Sequence, residues 1–130
     1  MIEAALFELL TAAPNLTGLV GDRIYPIAAP QTAAAPMVEY QMITAETGYA
    51  HDGPTGYVQP LFQFTVTGRT YLEAKTVCAA LRKVLSGYRG SAAGTKIHSI
   101  FCVNRYDETA NLSTGLCTVR EDYRISYQEI

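Results

Sequence analysis

From residue 61 to 67 apolar and polar side chains alternate without a break, Phe62, Phe64 and Val66 on one side, Gln63, Thr65 and Thr67 on the other. That is the period of a half-buried strand. Residues 37–44 follow the same rule, with Val38, Tyr40 and Met42 set against Glu39 and Gln41. Residues 2–12 instead bring Ile2, Ala5, Leu6, Leu9 and Leu10 onto one stripe, which predicts an amphipathic helix that Pro14 ends. Asn15 is placed to cap a short turn through Leu16, Leu19 and Val20. The clearest helix start is Thr70-Tyr71-Leu72-Glu73, a capping box in which the hydroxyl and the carboxylate each reach the other residue's amide. Ala74, Val77, Cys78, Leu81, Val84 and Leu85 then recur at helical spacing, Glu73, Lys75, Arg82 and Lys83 take the wet side, and Gly87 supplies the stop. Residues 90–94 read as a flexible connection to a strand at 96–104, with Ile97, Phe101 and Val103 on one face and His98, Ile100 and Cys102 on the other. Residues 106–115 are polar and turn-like. A last strand alternates Cys117, Val119, Tyr123, Ile125 and Tyr127 with Thr118, Arg120, Asp122, Arg124 and Ser126, and Glu121 interrupts its apolar side.

The order is thus α-β-β-α-β-β, and the prediction is one α+β domain over residues 1–130 in which helices cover one face of a four-stranded, mainly antiparallel sheet. The opposite face, with Gln63, Thr65, Arg120, Asp122 and Arg124, is polar enough for water and suited to a subunit contact. Three prolines, at 26, 30 and 36, make residues 21–36 a stiff, exposed lead-in to the first long strand. Residues 45–58 hold glycines at 48, 53 and 56 and Pro54, with Glu46 and Asp52 as their charges, and read as a long loop. Tyr49 and Tyr57 within it are candidate contact residues, since tyrosine supplies amphipathic area at low entropy cost.

Composition narrows the function classes. A net charge of −2, from 10 Lys+Arg against 12 Asp+Glu, gives no extended basic field, so sequence-specific nucleic-acid binding is not expected. The first residues carry Glu3 and Glu8 where a secretory leader needs base, and no apolar run approaches the ~20 residues of a membrane span, so a soluble protein made in a cytoplasm, with no membrane partner, is expected. Cys78, Cys102 and Cys117 are odd in number and lack a C-x-x-C spacing, which predicts buried free thiols. His98 and Cys102 on one strand face are ~13 Å apart, too far to share a metal. His51-Asp52 is the one pair that suggests a nucleophile's base, and no phosphate-binding, dinucleotide or nucleophile-elbow motif accompanies it. No catalytic, cofactor or metal residue is assigned.

The chain resembles the bacteriophage tail completion (tail terminator) proteins. The likeness rests on Gly21-Asp22-Arg23-Ile24-Tyr25-Pro26, then Ala29-Pro30-Gln31 and Pro36-x-Val38-x-Tyr40. It continues with Gly53-Pro54-Thr55-Gly56, the strand at 61–66, Thr70-Tyr71-x-Glu73-Ala74, Leu81 with Leu85, and the ending from Gly115-Leu116 through Asp122-Tyr123-Arg124-Ile125. The resemblance implies a structural, non-enzymatic protein without cofactor, located in the virion tail after synthesis in the bacterial host cytoplasm. It implies a homo-hexameric ring that caps the tail tube, with the tail tube protein and a head connector or stopper protein as partners. The rival expectation is a small α+β ligand-binding module with residues 45–58 as its lid; a hydrolase using His51 is the third.

Overall fold

The alternating and amphipathic segments form six strands and three helices in a computed structural model that describes residues 1–50, 53–108 and 113–129, with the backbone alone at 46–50 and 53–57. In chain order these are α1 (Ile2–Thr11), α2 (Pro14–Val20), β1 (Ile24–Pro26), β2 (Met37–Ala50), β3 (Gly53–Gly68), α3 (Tyr71–Leu85), β4 (Gly90–Ala92), β5 (Thr95–Asp107) and β6 (Cys117–Glu129). The strands make one mixed sheet in the order β1-β2-β3-β6-β5-β4, where β1 and β2 run parallel and the other pairs antiparallel.

The sheet corrects the predicted four-stranded, mainly antiparallel layer with helices on one face. Two three-residue strands extend it at both rims, and one of them is parallel to its neighbour. β1 lies inside the proline-rich lead-in, where Pro26 is tolerated because the strand is at an edge. Its pairing is continued by Val38 N–H to the Arg23 carbonyl at 3.0 Å and Ile27 N–H to the Tyr40 carbonyl at 2.7 Å. α2 is a helix with Pro14 in its first turn and Ala13 at the N-cap, so Asn15 does not cap it.

The predicted long loop is also corrected. β2 continues to Ala50 and β3 begins at Gly53, with Tyr49 opposite Pro54 and Ala50 opposite Gly53; His51 and Asp52 lie outside the described residues. The backbone ladder needs no apolar side chains, and register shifts after Met42 and Thr47 break the period that would reveal it. Residues 45–50 and 53–58 are strand and not the loop that the ligand-module reading assumed.

β5 shows a third departure. Shifts between Ile97 and Ser99 and between Cys102 and Asn104 reverse the side-chain phase. Ile97 and Ile100 therefore share the buried face, while Phe101 and Val103 are exposed.

The core lies between one sheet face and the helices. It contains Ile2, Leu6 and Leu10 from α1, Leu16 and Val20 from α2, and Val77, Cys78, Leu81 and Leu85 from α3, against Val38, Phe62, Phe64, Val66, Val119, Tyr123 and Ile125 of the sheet. Phe64 is at its centre, stacked on Tyr40 at 5.9 Å between ring centroids and edge-on to Tyr123 at 5.3 Å.

α3 starts at the expected cap, and Thr70 Oγ1 accepts from the Glu73 N–H at 3.1 Å. The return bond differs from the capping box: Glu73 accepts from the Arg69 N–H at 2.9 Å and pairs with the Arg69 guanidinium at 2.7 Å. The Arg69 hydrogen bond holds the Glu73 carboxyl at about 2, well below the usual range. Thr70→Ala removes one cap bond and is expected to cost about 1 kcal/mol in urea unfolding. An unchanged midpoint would mean that the Arg69–Glu73 pair holds the helix start alone.

Candidate assembly interface

Because side chains alternate along a strand, the residues between the core positions of β3 and β6 all project from the other face of the sheet. Register sets Gln63 opposite Asp122, Thr65 opposite Arg120 and Leu61 opposite Arg124. The structure thus places five of the residues singled out in the sequence on one face and joins four of them, Gln63, Thr65, Arg120 and Asp122, by hydrogen bonds. Gln63 Nε2 donates to Asp122 Oδ1 at 3.1 Å, and Arg120 donates to Thr65 Oγ1 at 2.9 Å and to Gln63 Oε1 at 3.3 Å. Arg124 stands apart and donates to the Gln59 carbonyl at 3.2 Å. The side chains of Tyr49 and Tyr57 lie outside the described residues.

Three members of this lattice were not legible in the sequence. Glu108 pairs with the Arg120 guanidinium and holds it above its ordinary pKa, Tyr106 accepts from Gln63 Nε2 at 2.8 Å, and Asn104 reaches Asp122 at 3.5 Å. All three come from the segment beginning at Asn104, most of which reads as a turn, whereas β5 extends to Asp107. Gln63, Arg120 and Asp122 are each tied to more than one neighbour, so the face is pre-ordered to a degree that isolated exposed ion pairs do not reach.

A second ionic feature lies on the core side. Glu121 is 1% exposed, pairs with Arg82 of α3, and accepts from the Tyr123 hydroxyl at 2.8 Å. Burial, with Glu121 adding to it, pushes the Tyr123 phenol up. Arg82 is thus not merely a residue of the wet helix side; it compensates the one carboxylate that interrupts the apolar face of β6. The thiols divide as well: Cys78 is buried, and burial pushes it up to about 12, while Cys102 and Cys117 are only half-buried, contrary to the expectation for all three.

At the β1/β2 rim an apolar groove of about 800 Å³ opens between α1 and the sheet, lined by Met1, Ala4, Phe7, Ile27, Met42 and others, with Glu3 on its wall. Among the described residues no group of three or more His, Cys, Asp or Glu is placed to hold a metal, and no helix is long and apolar enough to cross a membrane.

Side chains that bond to one another across a sheet face, next to an apolar rim, are suited to recognition of a macromolecular surface, and the class they define is the small α+β assembly subunit. Comparison with protein families gives this class a particular place. The chain belongs to the family described as tail completion protein gp17, whose model matches residues 4–125, and it is thereby a structural protein of a phage-type virion tail. A comparison with curated proteins finds no match. Among solved structures, a chain of the virion of a native gene transfer agent particle has the same fold, with a TM-score of 0.78 at 17% identity over 98% of this chain and 94% of that one.

Proposed function

We propose that the protein forms a closed homo-oligomeric ring, a hexamer, that terminates the tail tube and joins it to the head connector or stopper protein. Membership of the tail completion family carries this reading. Its physical support is the pre-ordered polar lattice of Arg120, Gln63, Thr65 and Asp122, a surface of fixed shape that a tube or connector subunit meets without first ordering it. On this reading the protein acts by binding and not by catalysis, and Gln63, Thr65, Arg120, Asp122 and Arg124, with Tyr49 and Tyr57 of the β2–β3 hairpin, contribute to contacts with the tube or with neighbouring subunits. DNA passes the ring without being read in sequence.

Light scattering over a range of concentrations, with electron microscopy of the protein added to purified tail tubes, tests the reading. Rings in solution or on tube ends are expected. A monomer at every concentration together with bare tube ends would reject it.

A further inference from the structure

The two rims of the sheet are stepped, and the steps are complementary. Register fixes the height of every residue across the sheet: Tyr40 is level with Phe64, Glu121 and Arg105, Met42 with Phe62, Tyr123 and Cys102, Thr44 with Leu61, Arg124 and Phe101, and Thr47 with Val58, Tyr127 and Ile97. On one rim, β1 covers β2 only at Val38–Tyr40, so residues 41–50 of β2 have no outer partner strand among the described residues. On the other rim, β4 covers β5 at Thr95–Ile97, the Gly87 N–H bonds the Ile100 carbonyl at 2.9 Å, and residues 101–107 have no outer partner strand among the described residues. β1 therefore projects by one strand at the level where β5 is bare, and β4 projects by one strand at the level where β2 is bare. Rims of this kind are templates for further pairing.

We propose that a second copy of this chain occupies the β1/β2 rim through its own β4/β5 rim, in a head-to-tail lap joint that continues the sheet from subunit to subunit. The directions agree: three antiparallel pairs separate β2 from β5, so β5 runs antiparallel to β1 and β2 of the next copy when strands and heights are kept. In the middle rows neither rim carries a covering strand, which leaves a gap about two strand spacings wide, near 10 Å, between β5 and the next copy's β2. The exposed apolar side chains lie at this height. Ile43 and Val103 are the extra residues of two bulges, 45% and 54% exposed; Met42 precedes Ile43, and Phe101 lies two residues before Val103. The pairing fills the gap with these four and with Ile27 from the groove.

Charge agrees as well. Arg105 is level with Tyr40 on the core side of the sheet and exposed, and Glu3 of α1 acts on the Tyr40 phenol from that same side. Neither has an ion-pair partner among the described residues. Head-to-tail docking brings Arg105 of one copy toward Glu3 of the next. Because the two surfaces differ, the contact is heterologous and generates a ring or an open filament, which is why the inference rests on the ring reading above and specifies its joint.

Thiol cross-linking tests the joint. In a Cys102→Ser/Cys117→Ser background, Ile43→Cys and Val103→Cys chains are mixed, assembled in solution or on tail tubes, and treated with a short bifunctional thiol reagent. The mixture is expected to give linked dimers while neither variant alone does, and the chain carrying both cysteines is expected to give a ladder. Phe101→Asp/Val103→Asp, at exposed positions, is expected to lose assembly with its melting temperature unchanged. Assembly without a 43–103 link, a link in either single variant alone, or normal assembly of the aspartate variant would overturn the lap joint and leave the ring reading standing. No assembly of the parent chain under any condition would overturn both.

Discussion

Arg82→Ala should destabilise the fold by about 3 kcal/mol, because it strands a carboxylate in the core. Glu121 is 1% exposed and has two partners, the Arg82 guanidinium and the Tyr123 hydroxyl. Once the cation is gone, one neutral hydroxyl is left to compensate a buried charge. The expected loss sits at the low end of the ~3–5 kcal/mol seen for broken buried pairs, since the Arg82 side chain is 32% exposed and water enters where it stood. Removing the ion pair and the hydroxyl that bonds it, as in Arg82→Ala/Glu121→Leu/Tyr123→Phe, should restore most of the loss, because apolar side chains suit the face that β6 turns to the core and no buried donor is left without an acceptor. Urea midpoints of the two variants decide it. A single substitution costing under about 0.5 kcal/mol, the size of an ordinary surface change, would show that Glu121 is solvated without Arg82.

Phe64→Ala should cost about 3–5 kcal/mol, the range for emptying a large aromatic site in a packed core. The ring is fully buried, and it touches Tyr40 and Tyr123 in the stacked and edge-on arrangements that add to its burial. Its neighbours come from three adjacent strands, so no single side chain can collapse into the void. Phe101→Ala is the control: the ring is 58% exposed, and its loss should change stability by no more than about 0.5 kcal/mol. Equal costs for the two in thermal or urea unfolding would contradict the placement of the core.

What the sequence disclosed, and what it hid, follows from how each element is stabilised. Phe62, Phe64 and Val66 were legible because their strand is regular where it meets the core, and the same alternation placed Gln63 and Thr65 with Arg120 and Asp122 on the opposite face. β1 and β4 are three residues long and sit among prolines and glycines, so they carry no period, and the parallel rim and the sixth strand stayed hidden. The hairpin beyond Thr44 is held by backbone pairing through residues that usually break strands, among them Pro60, where the β3–β6 ladder skips. In β5 two bulges invert the phase, so regular alternation wrongly grouped Phe101 and Val103 with Ile97. Glu108, Tyr106 and Asn104 join the polar lattice only because β5 and β6 are in register, a tertiary fact with no local trace.

The corner between β3 and α3 bears on how force passes through the molecule. Two residues, Arg69 and Thr70, separate the last strand residue, Gly68, from the helix, and both are held by bonds to Glu73. At Gly68 itself a Cβ would lie 2.7 Å from the Ala74 backbone nitrogen, so strand and helix approach as closely as a hydrogen side chain allows. A corner this tight has no slack to act as a hinge. α3 must follow any tilt of β3 and, through β3, of β2 and β6 as well. A load applied to β3 is then passed directly to α3, and this corner adds no compliance of its own to the subunit.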